Sequence, residues 1–482
     1  MKLKSKKTDI YIKPNIKDFN VVSFDEGKKI IANGKKAALA SIDDLSKLLE
    51  HQTKTSKEPV HKILKDSIII REIKFSGNNK YTRSYILGKL KFKELQRIAY
   101  SDFLNGVDNL VATNNFDSFQ YQLVPTNEEN TYDLYADLIE TKTTTFLKLG
   151  AHYDDLYKSA ALVNLTKKRL LFNNDIASLD IILGDNVRYN FDYLIDKGFY
   201  WSVGLRSRYN QFKKGISAQL LLDDVQIEGT GLNKIDVLLH DQTNQFYLET
   251  LFRKDFAFSM GAEHKRLEIK SETILNSNQD EFLFESTDYF SAYGGLRLDT
   301  YDNKYFPKKG VYFNGDLHMY LFASQFNNDF DSFSLAKAEI GYAFSVSPKL
   351  SFNLRTSGGF KFGDKSTTTL DFALGGYGNN LINNFIPFYG YDFIALTGNS
   401  FVKAYTRLDF EFAPKNHLLF AANFANVDDD LFRVGEWFTE PDYSGYGIGY
   451  GWESFFGPVQ VIYSWSPEIS DGNFFFSVGY WF

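Results

Sequence analysis

The last ten residues, Asn473 to Phe482, read N-F-F-F-S-V-G-Y-W-F. Successive side chains of a strand point to opposite faces, so Phe474, Phe476, Val478, Tyr480 and Phe482 share one face. Phe475, Ser477, Gly479 and Trp481 share the other. A charge-free aromatic strand left as an open edge in water invites aggregation. A barrel that pairs its last strand with its first has no edge, and lipid around it favours an apolar outer face. The competing reading is a core strand that closes a soluble β-domain, and the rest of the chain weighs against it.

From Thr143 onward the chain alternates strand after strand. Val402, Ala404, Thr406, Leu408, Phe410 and Phe412 alternate with Lys403, Tyr405, Arg407, Asp409 and Glu411. Tyr446, Ile448, Tyr450 and Trp452 alternate with Gly445, Gly447, Gly449 and Gly451, and Val459, Val461, Tyr463 and Trp465 with Gln460, Ile462 and Ser464. Charge on the second face excludes a dry sandwich core and fits a wet lumen. Seventeen strand candidates lie between Thr143 and Phe482. A single-chain barrel with both ends on one side needs an even number. Joining 231–240 and 244–253 into one long strand interrupted at His240–Asn244 gives sixteen. Ser470-Asp471-Gly472-Asn473 reads as a hairpin turn.

Composition agrees. Phe (46) and Tyr (30) raise the aromatic share to 17%, while hydrophobic residues reach only 44%. A membrane helix needs a continuous apolar run of about 18 residues or more, and the sequence has none. Cysteine is absent, which excludes disulfides and thiol chemistry. Residues 1–62 carry fourteen Lys and no Arg against eight acidic residues, a balance of +6 within a net charge of −6. That basic end reads as a solvated surface, with attraction to anionic lipid headgroups second. Met1–Lys7 is basic, but no apolar signal core follows it. The expectation is therefore a removed signal or a longer gene.

Ahead of the strands the chain divides into three. Residues 1–52 are Lys-rich and end in a helical pattern of Ala37, Ala38, Ile42, Leu45, Leu48 and Leu49. Residues 53–66 form a polar linker. Residues 67–141 read as β-α-α-β-β: a strand with Ile68, Ile70, Ile73 and Phe75, a helix over 82–90 capped by Thr82, and a helix over 100–113. Leu104, Val107, Leu110 and Val111 lie on one face of that second helix, and strands over 119–124 and 132–139 close the unit. The element order, with F-S-G-N after the first strand and N-N-F before the second, resembles a POTRA domain.

Further motifs in residues 142–482 resemble the outer-membrane assembly superfamily of the BamA and TamA type. L-D-T-Y-D-N-K-Y-F-P-K-K-G (298–310) is similar to its periplasmic turn, with Asp299, Asp302, Pro307 and Gly310 as the matching positions. G-Y-G-I-G-Y-G-W-E-S-F-F-G-P-V-Q-V-I-Y-S-W (445–465) is similar to its glycine-rich strand, GP turn and penultimate strand. The 362–399 connection stands in place of its long extracellular loop, with L-G-G-Y-G (374–378) and a tip at Phe388, Tyr389, Gly390 and Tyr391. The tip lacks the family's arginine, which packs in relatives against acidic lumen residues. Here Arg407 sits on the same face as Asp409 and Glu411. Either it compensates them within the wall, or all three are ordinary lumen charges. Phe474, Phe476, Tyr480 and Phe482 resemble the insertion signal that ends outer-membrane barrels.

T-D-I-Y-I-K-P-N (8–15), Phe19, Phe24-Asp25-Glu26-Gly27 and G-K-K-A-A (34–38) resemble the last strand and helix of a patatin-like phospholipase domain. That family's catalysis needs G-x-S-x-G, an Asp in D-G-G/A and a glycine-rich oxyanion loop. No G-x-S-x-G occurs, and the one Asp-Gly pair is Asp471-Gly472. No catalytic, metal or cofactor residue is therefore assigned: the seven His lack metal spacing, and the glycine-rich stretches do not lie between a strand and a helix.

The expected fold is mainly β, a 16-stranded antiparallel transmembrane barrel preceded by one α+β POTRA domain. The expected place is the bacterial outer membrane, with the N-terminal part in the periplasm. Three functions remain open. The barrel could anchor or secrete an N-terminal patatin-like lipase, as in a type V autotransporter. It could assemble other proteins through a gate between 143–153 and 473–482. It could be a passive pore or surface antigen, which a plugging loop at 362–399 disfavours. The implied partners are outer-membrane lipid, the assembly machinery during insertion and a passenger in cis; nothing points to nucleic acid.

Overall fold

The computed structural model describes residues 8, 10–17, 19, 27–50, 67–155, 157–198, 201–217, 234–253, 255–275, 281–324, 330–364, 366–378 and 384–481. They form two compact units, residues 1–64 and 65–482. In the first, α1 (Gly27–Leu39) and α2 (Ile42–Glu50) take up the expected helical pattern. The pattern breaks between them at Ala40–Ser41, where the Ser41 amide bonds the Ala38 carbonyl in a tighter turn. Described residues 10–17 form no strand, although the patatin-like pattern implied one there, and residues 34–38 lie in α1. Phe24, Asp25, Glu26 and the 53–66 linker lie outside the described residues.

The second unit begins with β1 (Ser67–Ser76), α3 (Arg83–Leu90), β2 (Gln96–Ala99), α4 (Tyr100–Ala112), β3 (Phe116–Pro125) and β4 (Thr131–Glu140). Sheet order is β2-β1-β4-β3, with β1 parallel to β4. This arrangement is consistent with a POTRA domain. Thr82 caps α3, its hydroxyl accepting the Tyr85 amide at 3.2 Å. β2 escaped the sequence reading because four residues are too few to display an alternation. The apolar face proposed for α4 also needs correction. Phe103, Gly106 and Leu110 are buried, while Leu104 and Val111 are exposed. Any Cβ at Gly106 would strike the Leu90 carbonyl, so glycine is what lets α3 and α4 touch.

The chain then runs through β5 (Thr145–Asp154), β6 (Lys158–Lys168), β7 (Asp175–Gly184), β8 (Arg188–Ile195), β9 (Ser202–Ser217), β10 (Lys234–Arg253), β11 (Phe256–Leu275) and β12 (Glu281–Asp299). It continues with β13 (Gly310–Ala323), β14 (Phe333–Ser347), β15 (Leu350–Gly363) and three short loop strands, β16 (Phe372–Leu374), β17 (Phe385–Ile386) and β18 (Leu396–Gly398). β19 (Ser400–Ala413), β20 (Asn416–Asp428), β21 (Tyr443–Ser454), β22 (Gly457–Trp465) and β23 (Gly472–Gly479) complete it. Leaving out the loop strands, sixteen antiparallel strands close into a barrel. The expected join is real but the expected interruption is not: β10 passes through His240–Asn244 unbroken, in register with β9 and β11. The reversal expected at Ser470–Asn473 instead occupies 466–471, where the Glu468 carboxylate accepts the Ser444 amide at 3.1 Å.

Burial is inverted relative to a water-soluble protein. Phe410, Phe412, Phe420, Ile448, Trp452 and Tyr463 are exposed on the outer face, whereas Asp409, His417, Asn423, Gln460 and Ser477 are buried on the inner one. A barrel with lipid outside and a polar interior requires this distribution.

The α+β domain is bolted to one rim of the barrel. Lys89 of α3 makes a 2.6 Å ion pair with Asp196, in the β8–β9 turn, and both side chains are largely buried. The Tyr85 hydroxyl donates to the same carboxylate at 3.3 Å and accepts from Asn115 at 2.8 Å. Burial raises the Tyr85 pKa, which keeps the hydroxyl protonated and able to donate. From β6, Lys168 donates to the carbonyls of Thr113 (2.9 Å) and Asn114 (2.8 Å). Removing one partner of a buried ion pair strands the other charge, at about 3 kcal/mol or more. Lys89→Ala is therefore expected to loosen the domain by about that amount, read as faster hydrogen exchange in α3 and in 196–198 with the barrel ladder unchanged.

Candidate functional site

Two features of the barrel are candidates for function: the seam where it closes and the plugged lumen beside it. The closing ladder is short. Ser477 faces Asp154, Val478 faces Tyr153 and Gly479 faces His152, three pairs in all. On its other side β5 pairs with β6 over the whole of 145–154. The expected partnership of 143–153 with 473–482 is thus correct in identity but confined to 152–154 and 477–479. Gly479 adopts φ +100°, and any Cβ there would meet the Ala151 carbonyl. The chain bends at this glycine. Trp481 then packs against His152 with ring centroids 4.4 Å apart, and its amide donates to the Tyr305 hydroxyl at 2.8 Å. Phe474, Phe476 and Tyr480 of the expected insertion signal are exposed on the outer face. Phe482 lies outside the described residues.

The 364–399 loop enters the lumen from the rim opposite the α+β domain. Phe388, Tyr389 and Tyr391 of its tip are buried. The Tyr389 amide donates to Asn423 Oδ1 at 2.7 Å, and the Tyr389 ring stacks on Tyr377 and Tyr405. Gly390 has φ +88°, and a Cβ there would collide with the Trp465 carbonyl. Burial pushes the Tyr377 hydroxyl up to about 12 and that of Tyr389 well above its ordinary value, so both stay neutral.

The 300–309 turn enters from the other rim. Asp302 Oδ1 accepts the amides of Lys308 (2.9 Å) and Lys309 (3.1 Å), and Asn303 Oδ1 accepts those of Tyr305 (2.9 Å) and Phe306 (3.1 Å). Asp299 Oδ1 accepts the Tyr301 amide at 3.1 Å, Pro307 is buried, and Gly310 takes φ +122°. All four residues singled out in this motif therefore shape the turn. Their effect is to send Phe306 across the lumen, where it stacks on His417 with centroids 4.2 Å apart.

Both plugs land on the inner face of β21. A Cβ at Gly445 would collide with the Tyr389 carbonyl, and one at Gly451 with the Phe306 ring. Gly447 faces the Tyr389 ring and Gly449 the Ile462 side chain. The sequence shows a minimal inner face here; it does not show that two distant segments fill it. Phe306 and Tyr377 lie within the quoted motifs at 298–310 and 374–378 but were not singled out there, and Asn423 lies in none of the motifs.

The lumen charges pair differently from the proposed compensation within the wall. Arg407 donates to the Tyr305 carbonyl at 2.8 Å. Asp409 binds His417 Nδ1 at 2.7 Å, and Glu411 pairs with Lys308 of the turn. The 300–309 turn, about a hundred residues away in sequence, supplies the partners of Arg407 and Glu411, and the neighbouring strand β20 supplies that of Asp409. Between loop and turn lies a cavity of 1140 Å³.

The absence of cysteine makes a single introduced thiol a clean probe. Phe388→Cys is expected to resist a water-soluble maleimide. Adding Gly445→Ala, an overpacking change of about 1–3 kcal/mol, is expected to expel the tip and restore labelling.

The family model of the OMP85 superfamily matches residues 132–482. Among solved structures, BamA from Haemophilus ducreyi lacking POTRA domains 1–3 superposes with TM-score 0.57 at 13% identity, over 85% of this chain and 84% of that one. CdiB from Acinetobacter baumannii gives 0.54 at 15% identity, over 86% and 74%. CdiB from Escherichia coli gives 0.53 at 11%, over 85% and 76%. At these identities the likeness is one of fold. A comparison with curated protein sequences returned no match. The closed sixteen-stranded barrel, the α+β domain ahead of it and the family match over 132–482 together place the chain: it belongs to the OMP85 superfamily.

Proposed function

We propose that this chain moves polypeptide into or across the outer membrane at its β5–β23 seam, and that its cargo is carried in cis ahead of the α+β domain. The observation that carries the reading is the three-pair closing ladder, bounded by the bend at Gly479. Each ladder pair lost exposes backbone polar groups, so the shortest ladder is the wall's least costly point of opening. An opened seam offers two strand edges on which an incoming segment can pair. Loop and turn together fill much of the lumen, which argues against a passive pore.

In this reading the α+β domain acts as a POTRA domain on the periplasmic side, with residues 142–482 in the membrane. Phe474, Phe476, Tyr480 and Phe482 form the signal read by the assembly machinery. The cis cargo rests on the patatin-like pattern of residues 8–38 and on the separate compactness of residues 1–64. The lipase chemistry would belong to that domain, since the nucleophile motif does not occur in these 482 residues. A second reading, assembly of other barrels in trans, is favoured by the fold shared with BamA.

Tyr153 and Val478 are directly opposed in the seam. Opposed ladder residues lie within disulfide reach. The double variant Tyr153→Cys/Val478→Cys is expected to fold, to migrate as a heat-modifiable barrel and to lose transport until reduced. Surface exposure of the N-terminal segment that fails under the lock supports cis cargo. A loss of other outer-membrane barrels supports the second reading. Full transport through a locked seam would overturn both. In-frame G-x-S-x-G and D-G-G motifs upstream of Met1 would establish the lipase domain.

A further inference from the structure

The residues that line the lumen cavity carry a net positive charge. Seven Lys and Arg side chains line it against four carboxylates, a local excess of three cations in a chain whose net charge is −6. Two of the cations are paired, Arg355 with Glu339 at 3.2 Å and Lys337 with Asp316 at 3.9 Å. Lys403 and Arg407 are not. Among the described residues each meets a neutral oxygen instead, Lys403 the Pro387 carbonyl at 2.9 Å and Arg407 the Tyr305 carbonyl at 2.8 Å.

Register places these groups together. Ser357 faces Lys403, Arg355 faces Tyr405 and Asn353 faces Arg407 across β15 and β19. Alternate residues of a strand stand about 7 Å apart on one face, so Lys403, Arg355 and Arg407 surround Tyr405 as a compact cationic patch. Donor capacity is left over on that patch. Arg407 is 8% exposed and its Nε has no partner among the described residues; the covered Ser357 hydroxyl has none either. Clustered cations in a poorly solvated interior repel one another, and a bound anion offsets both that repulsion and the unused donors. The volume of 1140 Å³ holds a small organic molecule.

We propose that this patch is a binding site for a small phosphate-bearing anion, held by Lys403, Arg355 and Arg407 with Ser357 as a further donor. Such a ligand sits beside both plugs, since Pro387 belongs to the loop and Tyr305 to the turn. The phosphate comes either from a soluble ester or from a lipid headgroup.

The test is calorimetric titration of the full chain in detergent at low salt, with sodium pyrophosphate and with monomeric dihexanoyl phosphatidylglycerol as separate probes. Saturable binding of either, competed by salt, is expected, and the stronger probe identifies the source. Lys403→Gln/Arg407→Gln is expected to weaken it about tenfold or more. Heat-modifiable migration checks the fold of that variant. Should it not fold, Ser357→Asp places a carboxylate in the patch, leaves the Arg407–Tyr305 bond in place and is expected to abolish binding. Binding of neither probe overturns the proposal, as does unchanged affinity in a folded variant. Capture of an acidic peptide alone, with no response to either small phosphate, also overturns it.

Discussion

Much of the interior depends on the side-chain-free inner face of β21. Its alternating glycines let two remote segments reach the same wall. The Tyr389 backbone rests where a Cβ at Gly445 would be, and the Phe306 ring rests where one at Gly451 would be. The loop tip has no arginine to anchor it. Its grip comes instead from the Tyr389–Asn423 hydrogen bond, from stacking on Tyr377 and Tyr405, and from close approach over glycine. Close packing of this kind tolerates little added volume. The glycine strand is therefore what makes a plugged lumen compatible with a closed barrel.

The opposite requirement governs the seam. Every other pair of neighbouring barrel strands shares at least seven residue pairs, yet β23 and β5 share three before the chain turns at Gly479. Trp481 is not lost to solvent after the turn. It packs on His152 and reaches Tyr305, so the end of the last strand is tied to the same turn that carries Phe306. The wall is thus weakest beside an internal strut. The adjoining stretch, β6 to β9, is braced from outside the barrel by Lys89, Lys168 and Asp196 at the α+β interface.

Two of the β19 charges are matched by the turn rather than by the wall. Glu411 is matched by Lys308 and Arg407 by the Tyr305 carbonyl, both from the 300–309 turn. His417 joins Asp409 to the Phe306 ring through one imidazole. These groups knit floor and wall together, while Lys403 and Arg407 are left without carboxylate partners among the described residues.

Alternation with a period of two is local, and it was legible throughout. It identified the barrel and the outward face of Phe410, Ile448 and Phe474; the total of sixteen came from the even-number rule, and β10 runs unbroken where an interruption at His240–Asn244 was expected. The turn motif at 298–310 and the tip at 388–391 were legible as motifs, because tight turns need particular residues at particular positions. What each touches was not legible. Phe306 meets His417 and Gly451, more than a hundred residues on, and Tyr389 meets Tyr405, Asn423 and Gly445 on three successive strands, and no local pattern encodes such pairings. β2 was too short to show a period, and the α4 face shifted because packing against α3, not hydrophobicity alone, chose Phe103 and Gly106 over Leu104 and Val111. The sequence by itself determined a closed barrel with an aromatic last strand, since lipid outside and water inside leave no other use for that alternation. Only the tertiary structure decided where the ladder stops, which glycines make room, and which charges remain unmatched, because all three depend on contacts between segments that meet only once the barrel has closed.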